Sequence, residues 1–312
     1  MKKSIIFPGQ GSQYAGMGKY LHDNFDYIKK LHDEVNSALD LNLTNIIFDT
    51  DNKEAINLTQ NTQPAIMLTS YAIFTVLKKE KGIDISNFNF CAGHSLGEYT
   101  ALLISNSLKL ADTAKILFSR GKFMQQAVPN KQGGMMAVLG SDLRVVENIL
   151  RENIKKYECF IANDNSPQQV VVSGLKDNLD KFSEDLNKYK IKNLDLNVSA
   201  PFHCVLMKKA TELMSDVINN LKINKISKPI VHNYNAKPSS SEKDIKNMLI
   251  SQIEGKVRWV ESVKYMINNG TNNFVEIGPG KVLSGLIKRI DKNVKIKSIN
   301  NIIDFKEINL NG

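Results

Sequence analysis

The chain has 312 residues, 42% of them hydrophobic, and its 41 Lys and Arg against 32 Asp and Glu leave a formal charge of +9. That is enough apolar material for one large domain with a smaller insertion, while the absence of any apolar run of about eighteen residues or of a signal-like amino terminus argues against a membrane span and for a cytoplasmic setting. Lysines spread along the whole chain, with no arginine-rich or aromatic-interleaved cluster, argue against nucleic acid, and Cys91, Cys159 and Cys204 lack the spacing of a disulfide framework or a zinc site, so free thiols and no metal are expected.

Residues 3–7 predict a first buried strand, followed by Pro8-Gly9-Gln10-Gly11-Ser12-Gln13, a glycine-rich loop at a strand's carboxyl end, where α/β folds place ligands. Tyr14 stands where a dinucleotide loop needs its third glycine, and Val282 follows Gly278-Pro279-Gly280-Lys281 where a phosphate loop needs Ser or Thr, so nucleotide-binding readings fail on spacing. Helical periodicity covers 19–39 and 62–79, the stretch 88–92 reads as a strand, and helices are predicted over 96–104 and 111–128. From 134 onward the pattern changes to strand 135–139, helix 143–153, strands 159–163 and 169–173, helix 179–189 and strand 191–198. That β-α-β-β-α-β order predicts an inserted ferredoxin-like domain over 131–198, with 1–130 and 199–312 forming one split α/β-hydrolase-like domain around a parallel sheet. The second flank carries a helix near 204–223, a strand at 230–233, helices near 245–253 and 260–269, a strand at 274–277 and a helix after Gly280, with 235–241 as the best loop candidate.

Within this frame Gly93-His94-Ser95-Leu96-Gly97 lies at a strand-to-helix junction and reads as a nucleophile elbow, with the helix starting at the serine. The two glycines suit a sharp turn where backbones pass closely, and the helix start offers unpaired N–H groups to a developing oxyanion, so acyl transfer is the leading chemistry. A serine hydroxyl needs a base. His203, in Ser199-Ala200-Pro201-Phe202-His203 where the insertion rejoins the large domain, is the strongest of the five histidines. His22 and His32 fall on a predicted surface helix, His232 in a strand, and the elbow backbone is expected to turn His94 away. Arg120 stands three residues after Leu117 and four before Met124, so a charge shares an apolar stripe and needs a partner.

Six blocks now stand in order: Phe7-Pro8-Gly9-Gln10-Gly11-Ser12-Gln13, Asn61-Thr62-Gln63-Pro64-Ala65, Gly93-His94-Ser95-Leu96-Gly97-Glu98-Tyr99, Arg120-Gly121, Ala200-Pro201-Phe202-His203 and Glu276-Ile277-Gly278-Pro279-Gly280-Lys281-Val282-Leu283. In them the chain resembles the malonyl-CoA:acyl carrier protein transacylases, nearly end to end. The resemblance implies Ser95 as acyl-accepting nucleophile, His203 as general base, and a Gln252 backbone carbonyl orienting the histidine where a hydrolase would use an acid. It further implies Gln10 and Leu96 as backbone oxyanion donors, Arg120 gripping the malonyl carboxylate, and Met124 lining the acyl pocket. Malonyl-CoA and an acyl carrier protein are the implied partners of a cofactor-free, metal-free monomer, with Lys208, Lys209, Lys281, Lys288 and Arg289 as a basic docking rim. Cys204, where Ser is commoner in the family, and Gly255-Lys256-Val257-Arg258-Trp259 depart from its usual pattern, and neither is expected to touch the chemistry. A serine thioesterase or esterase, or an idle carrier-protein-binding module, are the competing readings. Arg120, the insertion and the long tail beyond His203 weigh against the first, and the intact elbow and base against the second.

Overall fold

The computed structural model describes residues 2–129, 132–152, 154–198, 200–239, 241–301 and 304. Two sheets organise them. The larger has strand order β10-β9-β1-β2-β7-β8, from β1 (Lys2–Phe7), β2 (Phe90–Gly93), β7 (Ile230–Val231), β8 (Pro238–Ser239), β9 (Thr271–Ile277) and β10 (Lys295–Ile299). All its pairings are parallel except the β7–β8 edge. Neighbouring residues of each strand point to opposite faces and both faces are covered: Ile5, Phe7, Cys91, Ile230 and Val275 enter one apolar cluster, and Ile6, Ala92, Val231 and Phe274 the other. A parallel sheet buried on both sides reads as continuous apolar runs, which is why these strands were visible in the sequence.

The smaller sheet, β3 (Gly133–Leu139), β4 (Phe160–Ser166), β5 (Gln169–Leu175) and β6 (Lys192–Asp195), is antiparallel with order β4-β5-β3-β6. Met136, Val138, Val170 and Val172 face the helices Leu143–Glu152 and Lys176–Lys188, packing on Val146, Leu150, Leu179 and Phe182. The alternate residues Met135, Ala137 and Val171 join the core of the larger unit, so this sheet is buried on both sides as well. A bridge seals the contact, with Val257 N donating to Ala162 O (2.8 Å) and Asp164 N to Val257 O (2.9 Å).

Several elements differ from the sequence expectation. The 19–39 pattern is two helices, Lys19–Asn24 and Asp26–Leu39, broken where Phe25 is extended at φ −132°. The helix Leu43–Phe48 and the strand β10 were not anticipated. β10 is an edge strand that carries Lys295 and Lys297, and charges of this kind protect an edge while masking its apolar alternation. The loop expected over 235–241 contains the short edge strand β8, and Pro238 is tolerated there because an edge needs no donor on its outer side. The strand expected over 191–198 shortens to β6. The helix expected near 204–223 is a 3-10 turn, Val205–Met207, followed by Lys208–Asn219. The expected domain boundary at 130/131 and the 199 side of that at 198/199 lie outside the described residues, as does Asn153 of the expected helix 143–153. Among the described residues no helix is long and apolar enough to cross a membrane, and no group of three or more His, Cys, Asp or Glu side chains could hold a metal ion.

Candidate active site

Because β1, β2 and β7 are parallel, their carboxyl ends share one edge of the sheet, and the loops leaving them meet there. β2 ends at Gly93, opposite Phe7, and the helix Gly97–Ile104 begins two residues beyond Ser95, with Leu96 as its cap instead of the serine itself. Ser95 has φ +52°, a left-handed conformation that costs a non-glycine residue about 1–3 kcal/mol. Its neighbours enforce the turn. A Cβ on Gly93 would lie 2.0 Å from Gly97 backbone, and one on Gly97 would lie 2.3 Å from Phe7 O. Asn233, just past β7, holds the strained peptide from below: its Oδ1 accepts from Ser95 N (2.6 Å) while its Nδ2 donates to Gly93 O (2.7 Å).

His203 meets this serine from the other side of the cleft, with Nε2 2.8 Å from Ser95 Oγ and Nδ1 2.8 Å from Gln252 O. A carbonyl only accepts, so Nδ1 carries the proton and the Nε2 lone pair faces the hydroxyl. The ring is 4% exposed, and burial together with the nearby Arg120 charge pulls its pKa down to about 3. At neutral pH the imidazole is therefore uncharged and free to take a proton. His203 also has φ +60°, so both halves of the pair sit on strained backbone.

Arg120 completes the group. It is 1% exposed, on the same buried stripe of the helix Leu110–Gln126 as Leu117 and Met124. Nη1 donates to Gln63 Oε1 (2.7 Å), and Nη2 donates to Gln252 Oε1 (2.9 Å) and Ser95 Oγ (3.1 Å). Nε is buried without an acceptor, and the Tyr99 ring lies 5.5 Å from the guanidinium carbon. Burial lowers the guanidinium's pKa from its ordinary value, yet among the described residues no carboxylate forms an ion pair with it. Arginine stays protonated in proteins, so a full positive charge sits almost wholly buried, held by neutral side-chain amides and the Ser95 hydroxyl.

These groups open onto a cavity of about 340 Å³ whose wall includes Gln10, Leu96, Met124, Met135 and Phe202. Neither the Gln10 nor the Leu96 amide donates a hydrogen bond among the described residues, and both residues line this cavity together with Ser95. His94 lines the cavity as well, contrary to the expectation that it turns away: Nε2 meets Asn165 Oδ1 at 2.8 Å and the ring packs on Trp259 at 5.6 Å. The 255–259 segment thus borders the site, because Trp259 backs His94 while Val257 ties the small sheet in place. His32 is buried against Thr44 instead of lying on a surface, and His232 is buried against Glu98. Cys204 is buried, its Sγ donates to Pro201 O (3.1 Å), and burial pushes the thiol up to about 12.

Residues 5–303 match the acyl transferase domain family. The chain belongs to the acyl transferases. It is 39% identical over 296 residues to the malonyl CoA-acyl carrier protein transacylase of Bacillus subtilis (strain 168), covering 94% of this chain and 92% of that one. Among solved structures, the acyl-carrier-protein S-malonyltransferase of Bartonella henselae superposes with a TM-score of 0.94 at 37% identity, covering 98% of each chain. A malonyl-transacylase in complex with its type II PKS acyl-carrier protein gives 0.93 at 32% identity, covering 98% of both chains. The acyl transferase fold thus brings together Ser95, His203, Arg120, Met124, Gln10, Leu96 and Gln252, the seven residues that the sequence assigns to catalysis and the acyl pocket. Sequence reasoning missed Asn233, Glu98 and the amides of Gln63 and Gln252. Gln63 and Glu98 lie inside quoted blocks, whereas nothing in the sequence around Asn233 marks it.

Proposed function

We propose that this acyl transferase moves a malonyl group from coenzyme A to the phosphopantetheine thiol of an acyl carrier protein, through a malonyl-serine intermediate. The observation that carries the reading is the buried Arg120 charge, unpaired by any described carboxylate and 3.1 Å from the nucleophile's oxygen. Glu98 acts on this charge only across the Gln252 amide, and a buried cation with no carboxylate in direct contact is costly unless a ligand supplies one. The malonyl carboxylate is such a ligand, and its length from thioester carbon to carboxylate suits a site where nucleophile and guanidinium are neighbours.

In the first half-reaction His203 Nε2 takes the Ser95 proton as Oγ attacks the thioester carbon. The oxyanion sits on the Gln10 and Leu96 amides, each such donor being worth about 3 kcal/mol in the transition state. The C–S bond then breaks and the departing thiolate takes the proton from His203. In the second half-reaction the carrier's thiol gives its proton to His203, attacks the malonyl ester, and Ser95 leaves with that proton. The balance closes with no cofactor or metal. The Gln252 carbonyl keeps the imidazole in the required tautomer, as an acid would in a triad.

We further infer an α/β-hydrolase-like large domain from 1–130 and 199–312 and a ferredoxin-like small domain from 131–198, acting as a cytoplasmic monomer. The strand order and the β-α-β-β-α-β sequence of the small unit support that division. Lys208, Lys209, Lys281, Lys288 and Arg289 are exposed, consistent with a rim that steers an acidic carrier. The reading is tested by mixing the protein with malonyl-CoA and acetyl-CoA, digesting it, and locating the acyl group by mass spectrometry. Malonyl on the peptide bearing Ser95, absent in Ser95→Ala, is expected; an adduct elsewhere, or none, refutes it.

A further inference from the structure

Glu98 follows the elbow on the first turn of the helix Gly97–Ile104 and is wholly buried. Its Oε1 meets His232 Nδ1 at 2.6 Å, while Oε2 accepts from Gln252 Nε2 (2.8 Å) and from Asn233 N (2.9 Å). His232 is pinned in turn by Ser239 Oγ, 2.6 Å from its Nε2. Each residue on Oε2 then reaches the reacting groups. Asn233 holds the Ser95 peptide, and Gln252 holds Arg120 through its side-chain oxygen and His203 through its main-chain oxygen.

The two ends of a glutamine amide have nearly the same shape, so its surroundings decide which end points where. Arg120 can only donate, which calls for the Gln252 oxygen on its side. Glu98 Oε2, already taken by a backbone N–H, calls for the Gln252 NH2 on the other. A flipped amide would set NH2 against guanidinium and carbonyl against carboxylate, two repulsive contacts in a buried site. Ser95 O and Asn233 Oδ1 also accept from Gln252 Nε2, but at 3.1 and 3.4 Å and without charge assistance. We propose that Glu98 is a positioning residue that fixes the orientation of the Gln252 amide, thereby aims the Arg120 guanidinium, and so sets the preference for an acyl group ending in a carboxylate. This rests on the malonyl-transfer reading above.

Two variants separate this role from plain structural support. Glu98→Met keeps the length of the side chain and removes both acceptors. Glu98→Gln can keep an oxygen toward Gln252 and Asn233, its NH2 facing a His232 Nδ1 that accepts once the ring proton moves to Nε2 beside Ser239. Acetyl transfer needs the elbow and the base but not the guanidinium, so the malonyl-to-acetyl ratio of kcat/KM is the informative readout. Glu98→Met should lower that ratio about tenfold or more, while Glu98→Gln stays within about threefold of the parent. Equal losses for both acyl groups in Glu98→Met, or a Glu98→Gln ratio as low as that of Glu98→Met, would overturn the proposal. Should Glu98→Met not fold, glutamine-selective 15N labelling of the unaltered protein reads the same contact. Gln252 side-chain amide protons, assigned by their loss in Gln252→Met, should exchange slowly, and fast exchange overturns the proposal. That measurement needs no substrate, so it is distinguishable from a failure of the malonyl reading, which would appear as an unaltered protein with no malonyl preference.

Discussion

Replacing Arg120 by methionine keeps most of the buried volume and removes the charge. Hydrogen bonds to a charged group are worth about 1.5–3 kcal/mol each, but the free enzyme already spends most of these donors. Nη1 is held by Gln63, and Nη2 is shared between Gln252 and Ser95. Nη1 keeps a second hydrogen, so an incoming carboxylate gains one new bond there and upgrades the Nη2 bond that Ser95 Oγ releases on becoming an ester, while Nε stays buried. The net preference supplied is about 2–4 kcal/mol, or roughly thirty- to nine-hundred-fold between malonyl and acetyl. A single-turnover competition between the two thioesters, read as the ratio of the two Ser95 adducts by intact mass, measures it directly. Arg120→Met should lose malonyl loading by that factor while acetyl loading changes far less. An unchanged ratio, with the circular dichroism spectrum intact, would remove Arg120 from substrate selection.

Four further outcomes follow from the geometry. With His203 held at about 3 by burial and the Arg120 charge, the neutral base persists far below the ordinary histidine range, so kcat/KM for malonyl loading should stay level from about pH 8 down to about pH 5; an acid limb centred near 6.5 would contradict the site as drawn. The same depression makes the unfolded chain bind more protons between about 6.5 and 3, so this residue's share of stability is full above that window and lost as pH falls through it. Gly93→Ala should cost more than about 4 kcal/mol or prevent folding, because its Cβ would lie 2.0 Å from Gly97 backbone, whereas Gly285→Ala, at an exposed position of the helix Val282–Ile290 with nothing within 4 Å, should raise stability by about 0.5–1 kcal/mol. Thermal melting of the two variants checks both, and a harmless Gly93→Ala would discredit the close approach at the elbow.

The strands β1, β2, β7 and β9 were legible because a sheet covered on both faces demands unbroken apolar runs, and a run of that kind needs no knowledge of its partner. The elbow was legible for a related reason: two glycines and a serine at fixed spacing record a local steric demand, the passage of Gly93 past Gly97 and of Gly97 past Phe7. Edge elements were not, since β10 and β8 are defined by what they pair with and carry the lysines and proline of an exposed rim. The break at Phe25 leaves no mark in the sequence because both flanking helices share one periodicity, with Leu21, Ile28, His32 and Val35 buried. What only the tertiary structure decided is the electrostatics of the cleft. Whether Arg120 is an ordinary ion pair or an unpaired buried charge, and which end of Gln252 it meets, depends on Gln63, Glu98 and Asn233 arriving from remote segments. Burial and hydrogen-bond direction are properties of that assembled neighbourhood, and no spacing along the chain encodes them.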